Sequence, residues 1–248
     1  MGAWKPNWDL PAGSGERWPD DYERGRPGWP AEVVDVPALP PTATALELAA
    51  GTGKLTRLLT ATFARVLAAE PAEAMRRRLV ASCPTAEVID ASAESIPLPD
   101  GSVDAVFAAE AFHHFDAERA LREIARVLRP AGAIVLLWNV PAGPWEPSIA
   151  PVEEILDRRI ARLGALSYDP LDLGGPRRPF SSDFEVVHVP NRQKLDRDGL
   201  VAFFASMGWI ADIPDEERLP LLEDIRALLT ADAYERQWTT HVHWTKLG

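Results

Sequence analysis

Glu47-Leu-Ala-Ala-Gly-Thr-Gly53 sets a carboxylate just ahead of two closely spaced glycines, Gly51 and Gly53. A residue without Cβ lets the backbone turn sharply and approach a ligand, and the free N–H groups of a helix that follows would point at that ligand. Seventeen positions after Gly53, Glu70 closes an apolar run. A carboxylate there can accept from both hydroxyls of a ribose, as in dinucleotide-binding folds. Taken alone, each feature also fits a plainer role, a tight strand-to-helix turn or a surface acid. His113 and His114 are the next candidates. An imidazole with an ordinary pKa of about 6.5 is poised to act as a general base, while the plain reading has one histidine packed and the other capping a helix. Two adjacent histidines are not spaced as metal ligands and no partner cluster accompanies them, so no metal is expected. Cys83, before Pro84 and with no histidine nearby in sequence, reads as an inert, partly buried thiol. As the only cysteine it allows no intrachain disulfide.

Alternating elements must position these groups. Strands are expected at 44–49, 65–70, 86–91, 103–109 and 133–139, with helices at 55–63, 73–83 and 118–128 between them. The last helix is expected to stop at Pro130 and Gly132. Strands alternating with helices, and runs as apolar as AIVLLW, predict an α/β fold with a doubly wound, mostly parallel sheet covered on both faces. Ligands of such sheets bind at the carboxyl ends of the strands, where chain order reverses. Residues 1–29, rich in Trp, Pro and Gly, read as an irregular arm rather than a core element. Gly164 to Pro179 reads as a loop. Beyond it a strand is expected at 184–189, helices at 199–207 and 217–229, and a last strand at 234–244.

Composition narrows the function. The chain has 248 residues and a formal net charge of −11. An acidic surface repels phosphate backbones, which argues against nucleic acid as a partner. Arg76-Arg77-Arg78 is a local basic run and reads as a solvated helix face. No apolar run reaches the ~18 residues of a membrane span, and the first residues lack the apolar core of a signal peptide. A cytoplasmic protein with no membrane partner is expected. Its oligomeric state is left open.

The segments ELAAGTGKLTRLL, VLAAEPAEAM, ASAESIPLPDGSVDAVFAAEAFHHF and ALREIARVLRPAGAIVLLWN, in this order and spacing, resemble the consecutive motifs of class I S-adenosylmethionine-dependent methyltransferases. They are most similar to the small-molecule group that includes UbiE-like and trans-aconitate-methyltransferase-like enzymes. The likeness runs from about Tyr22 to Asn139 and implies S-adenosylmethionine as cofactor. It implies that Glu47, Ala49, Gly51 and Gly53 surround the methionine part, that Glu70 holds the ribose, and that Pro71 and Met75 pack near ribose and adenine. Ser92, Ala93 and Glu94 would lie beside the adenine, and Glu110 and Ala111 would approach the methionine end. Two positions depart from the pattern. Ala49 stands where the family often has Gly, and Ser92 where an Asp is common, which predicts weaker polar recognition of the adenine rather than its loss.

Methyl transfer is an in-line displacement in which the protein mainly aligns and desolvates. A hydroxyl acceptor would need a base, and His113 is the better candidate, with His114 orienting or packing. A thiolate, a neutral amine or an activated carbon would need none. Residues 1–43 are expected to form an arm or lid, with Tyr22 and Arg26 over the cofactor, and 44–248 the methyltransferase domain, with substrate-side elements at about 140–180 and 195–230. The aromatic residues Trp4, Trp8, Trp18, Trp29, Trp138, Trp145, Phe203, Phe204 and Trp209 suit an apolar or aromatic small-molecule acceptor. Two rival readings are a cofactor-binding protein of the same fold with other chemistry, such as cyclisation, or none, and a nicotinamide-dependent dehydrogenase. The second lacks the third glycine of its fingerprint, since that position is Thr56.

Overall fold

The computed structural model describes residues 17–163 and 184–248. Its strands are β1 Thr44–Leu48, β2 Arg65–Ala69, β3 Glu87–Ile89, β4 Val103–Ala109, β5 Leu128–Pro141, β6 Glu185–Asp196 and β7 Ala233–Lys246. They form one seven-stranded sheet in the order β3-β2-β1-β4-β5-β7-β6. The first five run parallel, and β7 lies antiparallel between β5 and β6. The chain steps outward from β1 to β3 and then crosses back to β4. The reversal therefore falls between β1 and β4, and the loops after those two strands share one crevice.

Both faces of the sheet are covered, because its central strands β1 and β4 are buried at nearly every position rather than at alternate ones. Leu46, Leu48, Val106, Ala108, Ile134 and Leu136 pack with Ala120, Leu121, Ile124 and Val127 of helix α4, Ala117–Val127. Asp116 caps that helix, accepting from the Arg119 N–H at 3.2 Å. On the opposite face Ala45, Phe107, Val135 and Leu137 meet Leu59 of helix α2, Thr56–Thr62, and Phe63 just beyond it. Helix α3, Glu73–Ser82, closes the same side through Leu79, with Cys83 beside it. A separate apolar core lies beyond the strand ends. It joins helices α5 (Ala150–Leu163), α6 (Arg197–Ala205), α7 (Gly208–Ala211) and α8 (Asp215–Leu228) to Tyr234 and Trp238 of β7.

Most expected elements are present within a few residues, with three differences. The helix expected to run to Leu128 ends at Val127, and β5 begins immediately at Leu128, which pairs with Val103. Pro130, Ala131 and Gly132 thus lie in a strand irregularity, where Ala131 takes φ +61°. The strand expected at 184–189 continues to Asp196. The arm, expected to be irregular, contains helix α1, Trp18–Gly25. Pro19 in its first turn, Asp20 and Asp21 after it, and Arg24 in its last turn are ordinary helix signals. Trp4, Trp8 and the loop expected at 164–179 lie outside the described residues. Among the described residues, no helix is long and apolar enough to cross a membrane.

Helix α1 is a packed element. It lies on α6 so closely that a Cβ at Gly25 would sit 2.1 Å from the backbone N of Phe203. Replacing Gly25 by Ala should force the two helices apart and cost at least the 1–3 kcal/mol typical of overpacking. Denaturant unfolding that leaves Gly25→Ala as stable as the parent would show that α1 is not held in this contact.

Candidate active site

Three carboxylates stand at the carboxyl end of the sheet, on or just beyond adjacent strands. Glu47 lies within β1, and Glu70 follows β2, both buried. Glu110, directly after β4, is partly buried. Each is stabilised by donors rather than by cations. Glu70 accepts from the Gly51 N–H through Oε2 and from the Ala72 N–H through Oε1, both at 2.8 Å. It therefore ties the glycine loop to the end of the next strand. Glu110 Oε1 accepts from the Asn139 N–H at 2.7 Å. Glu47 Oε2 accepts from Thr56 Oγ1 at 2.6 Å. Burial raises all three pKa values, Glu47 to about 8 with a further push from Glu70.

The backbone at this place is strained. Ala49 and Glu110, the residues that leave β1 and β4, both take φ +53°, a left-handed conformation costly for a residue with Cβ. Gly51 takes φ +60°, and a Cβ there would meet nothing within 4 Å, so its open side faces the crevice. Gly53 differs. A Cβ would stand 2.6 Å from Cys83 Sγ and 2.9 Å from Leu79 Cδ1, so this glycine serves the close approach of α3 to the loop. Of the two glycines expected to make room for a ligand, Gly51 has the open space beside it, while Gly53 makes room for α3. Cys83 is buried, and its thiol faces the Gly53 carbonyl at 3.6 Å. Burial raises its pKa, in keeping with an inert thiol.

Helix α1 crosses this loop. Glu23 accepts from Thr52 Oγ1 at 2.5 Å and from Arg57 at 2.8 Å, and its carbonyl accepts from Lys54 Nζ at 2.6 Å. Tyr22 is close enough to Glu47, Glu70 and Glu110 to feel their charge, and burial, the larger cause, raises its hydroxyl to about 12. Arg26 donates to Ser206 Oγ at 2.9 Å and to the Ser206 carbonyl at 3.0 Å, beside the rings of Tyr22 and Phe203. The arm is also held by its carbonyls. Gly25 accepts from Gln193 at 2.6 Å, and Gly28 accepts from Asn191 at 2.9 Å and Asn139 at 3.2 Å. Sequence reading missed Asn139, Asn191 and Gln193 as positioning groups. The only hint was polar residues in otherwise strand-like runs.

The remaining expected positions flank the crevice. Met75 and Ala93 are buried and Pro71 is partly so. Ser92 pairs with Ser95 across a tight turn, and Glu94 accepts from the Asp116 N–H at 2.9 Å. Ala111 is buried beside the pair of histidines. The basic run is used internally. Arg76 donates to the Glu70 and Pro71 carbonyls and to Asp90, Arg77 faces Glu73, and Arg78 pairs with Asp20 of α1.

The histidines follow Phe112 in a 3₁₀ turn, their rings 3.9 Å apart. Burial lowers His113 to about 3, helped by His114, and lowers His114 to about 4. The indole N–H of Trp138 points at His113 Nδ1, 3.3 Å away. An indole can only donate, so Nδ1 carries the lone pair and the proton of the neutral ring sits on Nε2. This environment does not give the base of pKa near 6.5 that the sequence suggested. It gives a neutral imidazole with an N–H at its far nitrogen.

The residues from 46 to 136 match the model of the "Methyltransferase domain" family. An uncharacterised methyltransferase of Mycobacterium tuberculosis is 37% identical over 209 residues, covering 84% of this chain and 82% of that one. A demethylmenaquinone methyltransferase of Thermus thermophilus is 38% identical over 116 residues, 44% of this chain and 53% of that one. Among solved structures, a candidate type II methyltransferase of Anaeromyxobacter dehalogenans superposes with a TM-score of 0.66 at 22% identity, over 90% of this chain and 98% of that one, and shares the fold.

The imidazoles give a pH test. Between pH 6.5 and their lowered values the unfolded chain binds more protons than the folded one, so stability from the neutral rings is complete above about 6.5 and drains as pH falls toward 4 and then 3. Proton NMR of the ring Cε1–H should show no titration of His113 or His114 between pH 5 and 8. A midpoint near the ordinary histidine value would refute their burial.

Proposed function

The chain belongs to the class I S-adenosylmethionine-dependent methyltransferases, and from that premise we propose that it binds the cofactor in the crevice beyond β1, β2 and β4 and methylates a small apolar or aromatic acceptor. The observation that carries this reading is the group formed by the buried carboxylates Glu47 and Glu70 and the partly buried Glu110. None of them forms a salt bridge among the described residues, and Arg26, Arg57 and Arg76 act on their carboxylates only through space. Like charges buried together call for a cation, and S-adenosylmethionine brings an ammonium and a sulfonium. The open side of Gly51 offers the space such a ligand needs.

When bound, the cofactor supplies an electrophilic methyl group, and the chain supplies position. Glu70, already fixed by two amides, presents its remaining lone pairs to the ribose hydroxyls. Glu47, Ala49 and Gly51 border the methionine part with Glu110 and Ala111, while Gly53 secures the loop from behind. Pro71, Met75, Ser92, Ala93 and Glu94 border the adenine. Residues 1–43 act as a lid whose helix α1 brings Tyr22 and Arg26 across the strand ends and keeps water out. His113, neutral and with its proton on Nε2, orients the acceptor by donating a hydrogen bond, and His114 holds it in place. Alignment in a dry site then carries the rate, and the chain contributes no strong base. The charge of −11 and the internally used arginines at 76–78 favour a small acceptor over nucleic acid. A lone buried thiol suits the reducing cytoplasm.

Two measurements test this. Glu70→Ala should weaken S-adenosylmethionine binding by about 1.5–3 kcal/mol, the loss expected for hydrogen bonds to a charged group. Calorimetric affinity unchanged in Glu70→Ala would move the ribose elsewhere. Glu47 gives an independent sign. With a pKa of about 8 it holds a proton at pH 7, and a cation bound beside it favours the charged form. Binding at pH 7 should therefore release close to one proton, seen as a dependence of the binding enthalpy on the buffer's ionisation heat. The release should fade above pH 8 and be absent in Glu47→Gln. Release that persists in Glu47→Gln would place the titrating group elsewhere.

A further inference from the structure

The β6–β7 ribbon runs past the end of β5, whose last paired residue, Pro141, faces Trp238. Arg236 stands beyond that point, on the same face of β7 as Tyr234, Trp238 and Thr240. Its guanidinium carbon lies 4.1 Å from the ring centre of Trp145 and 5.3 Å from that of Trp238. Nε and Nη1 are buried with no hydrogen-bond partner among the described residues. The acids nearby do not meet this need. Glu235 pairs with Arg192 at 3.3 Å, Glu146 accepts the Glu235 N–H at 3.0 Å, and Glu153 acts on Arg236 only through space. In a chain with 37 acidic side chains against 26 basic ones, a partly buried arginine with no carboxylate paired to it among the described residues stands out. Desolvation lowers its pKa, as expected of a cation lacking its counter-charge.

A guanidinium flanked by aromatic rings keeps its in-plane N–H groups for a planar oxyanion, and carboxylate is the group whose geometry fits that fork. Thr240, four residues back along β7, donates to Asn139 Oδ1 at 2.6 Å, and the Asn139 N–H meets Glu110 at the cofactor crevice. Four strand residues span about 13 Å. We propose that Arg236 binds a carboxylate carried by the methyl acceptor, at the end remote from the atom that is methylated, so that the acceptor is an elongated molecule with an apolar body and an anionic terminus. Its position relative to the methyl group rests on the reading of the strand ends as the cofactor site. The presence of an anion site at Arg236 does not.

The test uses hexanoate and octanoate as probes against hexanamide and octanamide, titrated calorimetrically into the full chain with and without S-adenosylhomocysteine. Octanoate should bind at least tenfold more tightly than octanamide. Arg236→Gln should abolish that preference while leaving S-adenosylhomocysteine affinity within twofold, and Arg236→Lys should retain part of it. Equal binding of acid and amide, no binding of either, or a preference that survives Arg236→Gln would overturn the proposal. Should Arg236→Gln fail to fold, the acid-to-amide ratio of the parent and of Arg236→Lys decides. Loss of S-adenosylhomocysteine binding in the parent, with the Arg236-dependent preference intact, would refute the cofactor reading and leave the anion site standing.

Discussion

Burial of Glu47 and Glu70, and in part of Glu110, at the ends of neighbouring strands is the constraint to which the rest of this structure answers. A carboxylate removed from water is unfavourable unless donors or a counter-ion meet it. Glu70 recruits the amides of Gly51 and Ala72, Glu110 that of Asn139, and Glu47 the hydroxyl of Thr56. Each bond dictates the path of a loop. The Gly51 amide reaches Glu70 only because the chain turns left-handed at Ala49 and Gly51, and Glu110 leaves β4 in the same conformation. Strain of this kind persists only where surrounding contacts over-determine it. Here parallel strands on both sides of the switch point supply them.

The second requirement is a roof. The doubly wound core ends where the carboxylates begin, and the apolar core of α5, α6 and α8 lies beyond them. Helix α1 bridges the two. Its side chains grip the glycine loop through Glu23, and the carbonyls of Gly25 and Gly28 are held by Gln193, Asn139 and Asn191 from the ribbon side. Arg26 is itself held by Ser206 at the end of α6, and Tyr22 lies near the three carboxylates. Gln193 also accepts from the Trp238 indole at 3.2 Å. The docking of the arm is thereby coupled to the aromatic layer on which Arg236 rests.

Sequence patterns carried the sheet well, because apolar runs such as AIVLLW report burial on both faces without reference to distant residues. They carried the glycine loop and Glu70 for the same local reason. What escaped them depends on partners far away in the chain. Gly53 reads like Gly51 in sequence, yet it faces Cys83, thirty positions on, and only the packed structure separates a glycine with open space beside it from one that admits a helix. His113 reads as an ordinary base because the indole that fixes its tautomer is Trp138, on the next strand. Helix α1 was legible. Pro19, Asp20, Asp21 and Arg24 are start and stop signals, and the surrounding tryptophans, prolines and glycines obscured them.

The electrostatics also suggest how binding and release are divided. Carboxylates that stabilise a cationic ligand equally before and during reaction raise affinity without raising rate. Three such groups therefore belong to capture. Methyl transfer removes the sulfonium charge while leaving the ammonium, so on the proposed reading of the crevice the charge that Glu47 and Glu110 would face falls once the reaction is over. The same groups then hold the product less firmly than the substrate, and a crevice that bound a cation strongly can still turn over. What remains for rate is geometry. The strained exits of β1 and β4, the neutral imidazole of His113 and the lid of α1 all act by fixing positions in a dry space, where even a modest misalignment is expensive.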